Sequence, residues 1–221
     1  MSARNKHQKP VLVIGLGRFG GAVALTLERM GQEVMGVDID PGPVAAFSRE
    51  LTQTVEADCT TLSTLERLGA ADFEVAVVAI GSSIEASVLT VLALSDLGLT
   101  NIWAKATNDN HARILERTGA QHVVFPEQSM GKRVAHLLNE RLLDFIAFDD
   151  EFAIARLRAP EPLVGRALEA SACRQRFSVT VVGVKREAEN FIHAVPETII
   201  DADDELVVSG RIADIEGFAA I

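Results

Sequence analysis

The sequence predicts an α/β protein, with a Rossmann-type doubly wound parallel sheet followed by a small α+β domain. The apolar run Val11–Ile14 leads directly into the glycine-rich turn Gly15-Leu16-Gly17-Arg18-Phe19-Gly20, and a helical pattern begins there. Asp38 ends the next apolar run, where a nucleotide-binding βαβ unit carries an acidic residue. The run Val75–Ile80 has no polar alternation, as expected of a strand buried on both faces of a parallel sheet.

Strand and helix patterns alternate through this first part of the chain. Six strands complete a Rossmann-type sheet. The predicted strands are Val11–Ile14, Glu33–Val37, Thr54–Ala57, Val75–Ile80, Asn101–Lys105 and His122–Phe125. The predicted helices lie near Gly21–Met30, Pro43–Leu51, Leu62–Leu68, Ile84–Leu97 and Asn110–Arg117.

A longer helix is predicted after the sixth strand, from about Glu127 to Leu143. Pro126 and Glu127 are typical of a helix start, and apolar residues continue along one face as far as Phe145. The acidic run Asp149–Glu151 breaks the pattern. We therefore predict a first domain over residues 9–145 and a second over residues 146–221.

The second domain has the pattern of a small α+β module, because strand-like runs surround one short helical segment. That helix is predicted near Leu163–Ala170. The strand-like runs are Phe152–Leu157, Val179–Lys185, Phe191–Val195 and Glu205–Ser209.

Composition narrows the possible partners and compartments. The chain has 221 residues and a formal net charge of −10, which argues against nucleic acid because phosphate contacts need a surplus of Lys and Arg. Cys59 and Cys173 form neither a metal-binding spacing nor a disulfide framework. No apolar run approaches the roughly 18 residues of a membrane span. We expect a cytoplasmic protein that is able to attach to a membrane protein.

The glycine-rich turn carries the predicted ligand chemistry. Gly15 allows the tight turn, Gly17 lets the backbone approach phosphates, and Gly20 lets helix and strand pack closely. The helix N-terminus offers free N–H groups to phosphates, and Asp38 would accept hydrogen bonds from ribose hydroxyls. A 2′-phosphate would face that carboxylate, which disfavours NADP. Arg18 lies inside the turn, where its guanidinium can fold over a polyphosphate.

Further candidates follow the carboxyl ends of other strands. Asp58 and Cys59 end the third strand, Gly81 follows the fourth, and Lys105 ends the fifth. In open α/β sheets these ends meet at one crevice, so we expect the residues to converge there. His111 begins the next helix and could reach the same crevice.

Catalysis has no support in the residues. A dehydrogenase needs a proton donor or acceptor beside the nicotinamide, yet the chain has no tyrosine and no serine–lysine pair suggests a substitute. We therefore expect a non-enzymatic protein. A small NAD-dependent oxidoreductase and an NAD(H)-sensing subunit stay open as alternatives.

Several local strings together resemble one family. They are Gly15–Gly20, Val37-Asp38-Ile39-Asp40, Val78-Ala79-Ile80-Gly81, Asn101–Ala106 and Pro126–Gly131. The chain is similar to the RCK/KTN regulatory subunits of bacterial potassium uptake systems, of the KtrA type and more distantly the TrkA type. The resemblance covers nearly the whole chain, with an RCK_N domain followed by an RCK_C domain.

The resemblance implies a nucleotide-sensing gating ring. Subunits of such proteins pair and assemble as an octamer beneath a KtrB- or TrkH-like membrane subunit, and ATP and ADP compete for the crevice. Arg18 matches the position that contacts terminal phosphates, and Glu127 matches an acidic residue that helps to place a cation near the γ-phosphate. The matching nucleotide positions also include Asp38, Asp58, Lys105 and His111. We count five further residues among the candidate nucleotide-binding residues: Phe19, Asp40, Cys59, Ile80 and Gly81.

The same family can bind cyclic di-AMP in its second domain. Arg174 aligns there with an arginine that contacts phosphate. Glu169, however, stands where an apolar residue contacts the base, and Asp203 stands where the family favours glycine. These two departures disfavour cyclic di-AMP as a ligand of this chain.

Overall fold

A computed structural model describes residues 10–138, 141–186 and 190–221. Lys9, the first residue of the predicted first domain, lies outside the described residues. The chain divides into two compact units after Glu127. This division falls earlier than the predicted domain boundary at residues 145 and 146, because the segment after Glu127 contributes to the second unit.

The first unit contains a six-stranded sheet in the order β3-β2-β1-β4-β5-β6. Every adjacent pair in this sheet is parallel, so the predicted Rossmann-type fold is confirmed. The strands are β1 (Val11–Ile14), β2 (Val34–Asp38), β3 (Gln53–Glu56), β4 (Val75–Val78), β5 (Ile102–Lys105) and β6 (His122–Val124).

Helices cover both faces of this sheet. One apolar cluster joins β1 and β2 to α1 and to residues after α2, and a larger cluster joins β1, β4 and β5 to α3, α4 and α5. A parallel sheet buried in this way explains the continuous apolar runs. The helices are α1 (Arg18–Arg29), α2 (Pro41–Phe47), α3 (Leu62–Arg67), α4 (Ile84–Asp96) and α5 (Asp109–Thr118), with a short 3-10 helix at Ala70–Asp72.

The second unit contains a five-stranded antiparallel sheet in the order β10-β9-β11-β8-β7. The predicted small α+β module is therefore confirmed. Its strands are β7 (Leu142–Ala147), β8 (Phe152–Arg158), β9 (Thr180–Lys185), β10 (Ile192–His193) and β11 (Glu205–Arg211). Its helices are α6 (Pro126–Leu137), which begins at the division between the units, α7 (Leu168–Ser171), α8 (Cys173–Phe177) and α9 (Ile212–Phe218), with a 3-10 helix at Glu161–Leu163.

The long helix predicted from Glu127 to Leu143 is wrong in its second part. Helix α6 ends at Leu137, and residues 142–147 form β7, which pairs with β8. The acidic run that suggested a boundary is a hairpin turn instead, because Asp149 Oδ1 accepts hydrogen bonds from the backbone N–H groups of Glu151 and Phe152. Apolar residues spaced three and four apart satisfied the helical pattern, but Leu142 and Phe145 are buried through a strand.

The helices of the second unit also differ from prediction. The segment predicted as one helix near Leu163–Ala170 contains a 3-10 turn and the short helix α7. Helices α8 and α9 were not predicted, because each is under eight residues long and shows less than two full apolar turns. No helix in the described part of the chain is long and apolar enough to span a membrane.

Candidate functional site

The glycine-rich turn opens into a cavity of about 690 Å³ at the carboxyl edge of the first sheet. We call it the glycine-turn cavity. Strands β1, β2, β4 and β5 all direct their carboxyl ends toward it, which is where ligands bind in open α/β sheets. The predicted residues that line it are Gly15, Gly17, Arg18, Phe19, Asp38, Asp58, Cys59, Ile80, Gly81, Lys105 and Glu127.

The turn leaves backbone donors available beside this cavity. Gly15 has φ +94°, and a Cβ there would lie 3.1 Å from the backbone of Ala79, so glycine is required. Gly17 caps α1 without a side-chain hydrogen bond, and the first turn of α1 contains no acidic residue. The leading N–H groups of α1 therefore have no capping side chain, which is the arrangement found at helix termini that bind anions.

Gly20 has a packing role and does not line the cavity. A Cβ at this position would lie 1.9 Å from the Gly15 carbonyl oxygen and 2.8 Å from Ala79 Cβ. Glycine therefore lets α1 lie directly against β1 and β4, as the third glycine of this motif does.

Two aspartates at the end of β2 have different roles. Asp38 Oδ2 accepts a hydrogen bond from Leu16 N at 2.6 Å, and its Oδ1 accepts one from Asp40 N at 3.0 Å. These bonds orient the Asp38 carboxylate toward the cavity while leaving lone pairs for a ligand hydroxyl. Asp40 does not line the cavity; its Oδ1 accepts from Gly42 N at 2.8 Å and caps α2.

Asp58 and Cys59 form the wall after β3. Thr60 donates to Asp58 Oδ1 through its backbone N–H at 3.0 Å and its hydroxyl at 2.7 Å, which lowers the Asp58 pKa. Cys59 is 3% exposed. Burial, with smaller effects from the charges of Asp58 and Asp38, raises the pKa of its thiol to about 12. Buried thiols with a raised pKa behave as small apolar side chains, and Cys59 lines the cavity in that way.

Lys105 and Glu127 meet across the cavity. Lys105 Nζ lies 2.5 Å from Glu127 Oε1, with 13% of the lysine side chain and 65% of the glutamate side chain exposed. The hydrogen bond from Lys105 is the largest of the effects that lower the Glu127 pKa, and the charge of Arg18 adds to it. A Cβ on Gly81 would lie 3.1 Å from Lys105 Nζ, so Gly81 leaves room for the ammonium group at the cavity floor.

His111 is buried beneath the cavity and does not line it. It is 1% exposed, and its Nδ1 accepts a hydrogen bond from Thr107 N at 3.3 Å. Burial lowers its pKa, which favours the neutral imidazole. Because Nδ1 accepts from Thr107 N, the proton of the neutral ring is assigned to Nε2, which is buried and has no hydrogen-bond partner among the described residues. Thr107 does line the cavity, so His111 supports the wall through this threonine.

Several cavity residues escaped prediction because they carry no charge. Ser82 and Ser83 follow Gly81, and Thr90 and Thr107 reach the cavity from α4 and from the loop before α5. The sequence signal that could have identified Ser82 and Ser83 is their position just after Gly81, at the end of a predicted strand. Ser83 Oγ accepts from Ala86 N at 3.1 Å and begins α4.

A cation near Glu127 would need more ligands than the described residues offer there. Among the residues that the structure describes, no group of three His, Cys, Asp or Glu side chains is arranged to hold a metal ion. Glu127 supplies one carboxylate, which Lys105 already contacts. Phosphate oxygens of a bound nucleotide are the natural source of the remaining ligands.

Arg174 lies in the second unit, in a separate cavity of about 400 Å³. Its Nε donates to Thr180 Oγ1 at 3.2 Å. Glu169 lines the same cavity, while Asp203 does not. Glu169, which stands at the position predicted to contact the base, therefore lines the same cavity as Arg174.

Comparisons with known proteins agree with both units. The TrkA-N domain family matches residues 11–126, and the TrkA-C domain family matches residues 152–221. The Ktr system potassium uptake protein A of Bacillus subtilis (strain 168) is 39% identical over 211 residues, which are 95% of each chain. The Ktr system potassium uptake protein C of the same organism is 37% identical over 212 residues, which are 96% of each chain.

A solved structure shares the fold. The crystal structure of the GsuK RCK domain has a TM-score of 0.66 with this chain at 18% identity, and the match covers 98% of this chain and 48% of that one. The resemblance found in the sequence is confirmed. The chain belongs to the TrkA-N and TrkA-C domain family and is homologous to the Ktr potassium uptake proteins.

Proposed function

We propose that this protein is a cytoplasmic regulatory subunit of a potassium channel or transporter, and that ATP and ADP compete for its glycine-turn cavity. The relatives named as Ktr potassium uptake proteins support the transport role, because they match 95–96% of the chain. The observation that carries the ligand proposal is the convergence of the uncapped α1 N-terminus, Arg18 and Lys105 on one cavity that Asp38 also lines.

The chemistry of the cavity favours a polyphosphate over a redox cofactor. The α1 N–H groups and the two cationic side chains supply donors for phosphate oxygens, while the Asp38 carboxylate suits a ribose. A γ-phosphate adds charge and oxygen atoms that Arg18, and a cation held by Glu127, would recognise. A ligand shifts an equilibrium only when it binds the two states with different affinity, and this difference in phosphate contacts provides it.

Regulation without catalysis is part of the same proposal. The residues that the structure describes along its wall include no histidine and no tyrosine, and the Cys59 thiol is held protonated. Under this proposal the binding of the nucleotide is itself the signal. NAD(H) sensing stays the alternative, because Asp38 would serve an adenosine ribose equally well in a dinucleotide.

Assembly follows from the same role. We propose that subunits pair and form an octameric ring at the inner face of the membrane, in contact with a potassium-translocating subunit. Exposed apolar side chains on and after α6, Met130 at 52%, Val134 at 44% and Leu138 at 75%, support a surface that another subunit covers. Cyclic di-AMP stays disfavoured, because Glu169 shares the cavity of Arg174.

A thermal-shift comparison of ATP, ADP, NAD and NADH tests the ligand. Binding to the folded state raises the unfolding temperature according to ligand concentration and affinity, so ATP and ADP should each give a clear shift. A large shift with NADH and none with ATP would replace the nucleotide proposal by the dinucleotide alternative. The transport role is tested separately, by potassium flux through a co-reconstituted membrane subunit with and without this protein.

A further inference from the structure

A second cavity, rich in basic side chains, lies on the sheet of the second unit. We call it the basic cavity. It has a volume of about 550 Å³, within the range of small-molecule sites. None of its residues lines the glycine-turn cavity or the cavity of Arg174. Its lining residues are Arg156, Arg158, Lys185, Arg186, Ala202, Asp203 and Glu205.

Strand alternation places two arginines on the outer face of β8. Ala155 and Leu157 are each 1% exposed and belong to the core of the second unit. Because successive side chains of a strand point to opposite faces, Arg156 and Arg158 project away from that core, and both are exposed. This face of the sheet is therefore polar where the cavity forms.

Strand register brings a third basic residue alongside them. Glu205 of β11 is paired with Arg158 of β8 on one side and with Lys185 of β9 on the other. Directly opposed side chains on neighbouring antiparallel strands lie close together. Glu205 Oε2 also lies 3.3 Å from Arg156 Nη1, so one carboxylate lies among these three basic side chains.

Arg186 is held in a fixed orientation at the cavity edge. Its Nε donates to Asp204 Oδ1 at 3.3 Å, and its Nη2 donates to the Ile199 carbonyl at 3.0 Å. The Asp204 side chain is 3% exposed, and its Oδ2 accepts from Asp201 N at 2.8 Å, which closes the turn before β11. A guanidinium anchored from behind in this way loses little conformational entropy when it contacts a ligand.

Arg158 gives the basic cavity an available donor for an anion. The lining contains four basic side chains and two acidic ones, Asp203 and Glu205. Glu205 is paired with Arg156, and Asp201 and Asp204, which lie outside the lining, are paired with Arg186. Over residues 10–138, 141–186 and 190–221, Arg158 has no hydrogen-bond or ion-pair partner. Planar guanidinium groups bind phosphate oxygens through two parallel hydrogen bonds. We propose that the basic cavity binds a small phosphate-bearing anion.

Calorimetric titration of the full-length chain with inorganic pyrophosphate tests this site. We expect two classes of binding in the wild type, one in each cavity. Arg158→Gln should weaken one class at least tenfold and leave the other intact. Lys105→Gln should do the reverse, so failure of this proposal is distinguishable from failure of the nucleotide proposal. Arg166→Gln is the matched control, because Arg166 is exposed in the same unit and does not line the cavity.

The result that overturns the proposal is equal pyrophosphate binding by Arg158→Gln, Arg166→Gln and the wild type. Arg158→Lys keeps the charge but loses the bidentate fork, and we expect an intermediate affinity. Unfolding midpoints without ligand check that each variant folds. The phosphate group could belong to a lipid headgroup or to a soluble anion, and sedimentation with phosphatidylcholine vesicles, with and without phosphatidic acid, distinguishes the two. Vesicle binding that is lost in Arg158→Gln identifies a lipid headgroup. Pyrophosphate binding without vesicle binding identifies a soluble anion.

Discussion

The ion pair between Lys105 and Glu127 should compete with nucleotide binding, and Glu127→Gln tests this directly. In the structure the ammonium group of Lys105 contacts Glu127 at 2.5 Å, while only 13% of the lysine side chain is exposed to solvent. A phosphate oxygen that enters the cavity would need the same ammonium group. The free energy of the ion pair therefore opposes the binding of any nucleotide phosphate at Lys105.

The size of the effect follows from the exposure of the two partners. Glu127 is 65% exposed, so solvent screens the pair and it contributes about 1 kcal/mol. Removing that competition should raise the affinity for ADP about fivefold, since 1.4 kcal/mol corresponds to a factor of ten. ATP should gain less or lose affinity in the presence of a divalent cation, because Glu127 no longer supplies a carboxylate near the γ-phosphate.

Isothermal titration with ADP and with ATP, each with and without Mg²⁺, measures both effects. Glu85→Gln is the control, because Glu85 also lies in the first turn of a helix but does not line the cavity. Unchanged or weaker ADP binding by Glu127→Gln would refute the competition. An unchanged ratio of ATP to ADP affinity would refute the part of Glu127 in cation placement.

Four further substitutions test the cavity and the packing that supports it. Gly20→Ala should lower the free energy of unfolding, measured by urea titration, by at least about 3 kcal/mol, because its Cβ would overlap the Gly15 carbonyl. Gly17→Ala has nothing within 4 Å of its Cβ, so it should keep the wild-type stability and lose ADP affinity. Comparable stability of the two variants would contradict this. Asp38→Asn should weaken ADP binding about tenfold without changing pyrophosphate binding; an equal loss for both ligands would argue against a ribose contact. Because the pKa of His111 in the folded state is lowered from 6.5, the folded state binds fewer protons than the unfolded chain, so the free energy of unfolding should fall as the pH drops below about 6.5. In chemical unfolding at several pH values, the free energy of unfolding of His111→Leu should fall less steeply than that of the wild type. Equal slopes of free energy against pH in the two proteins would contradict burial of a neutral His111.

Local sequence signals predicted the parts of the fold that depend on neighbouring residues. The strand Val11–Ile14 was predicted to the residue, and the turn after it places Gly15, Gly17 and Arg18 in the cavity. These positions follow from one strand, one turn and one helix start, and the residues that specify these three features lie within ten positions of one another. The tightest crowding at Gly20 is also local, because it comes from the Gly15 carbonyl of the turn, while the contact with Ala79 depends on the distant strand β4.

Features that depend on distant pairing were not predictable in the same way. Strand β7 is a strand because it pairs with β8, while its apolar spacing also fits a helix. The contact between Lys105 and Glu127 joins residues 22 positions apart, and the basic cavity depends on the register of β8, β9 and β11. His111 had the polarity of a ligand contact, and only the packing of α5 shows that it is buried.

The central claim is that Arg18 recognises the number of phosphates on a bound adenine nucleotide. Its most direct test is the ratio of ATP to ADP affinity, measured by isothermal titration in the wild type and in Arg18→Gln. We expect Arg18→Gln to weaken ATP binding by at least tenfold, as for the loss of a charge-assisted contact, and ADP binding by clearly less. An equal ratio in the two proteins would contradict phosphate recognition by Arg18.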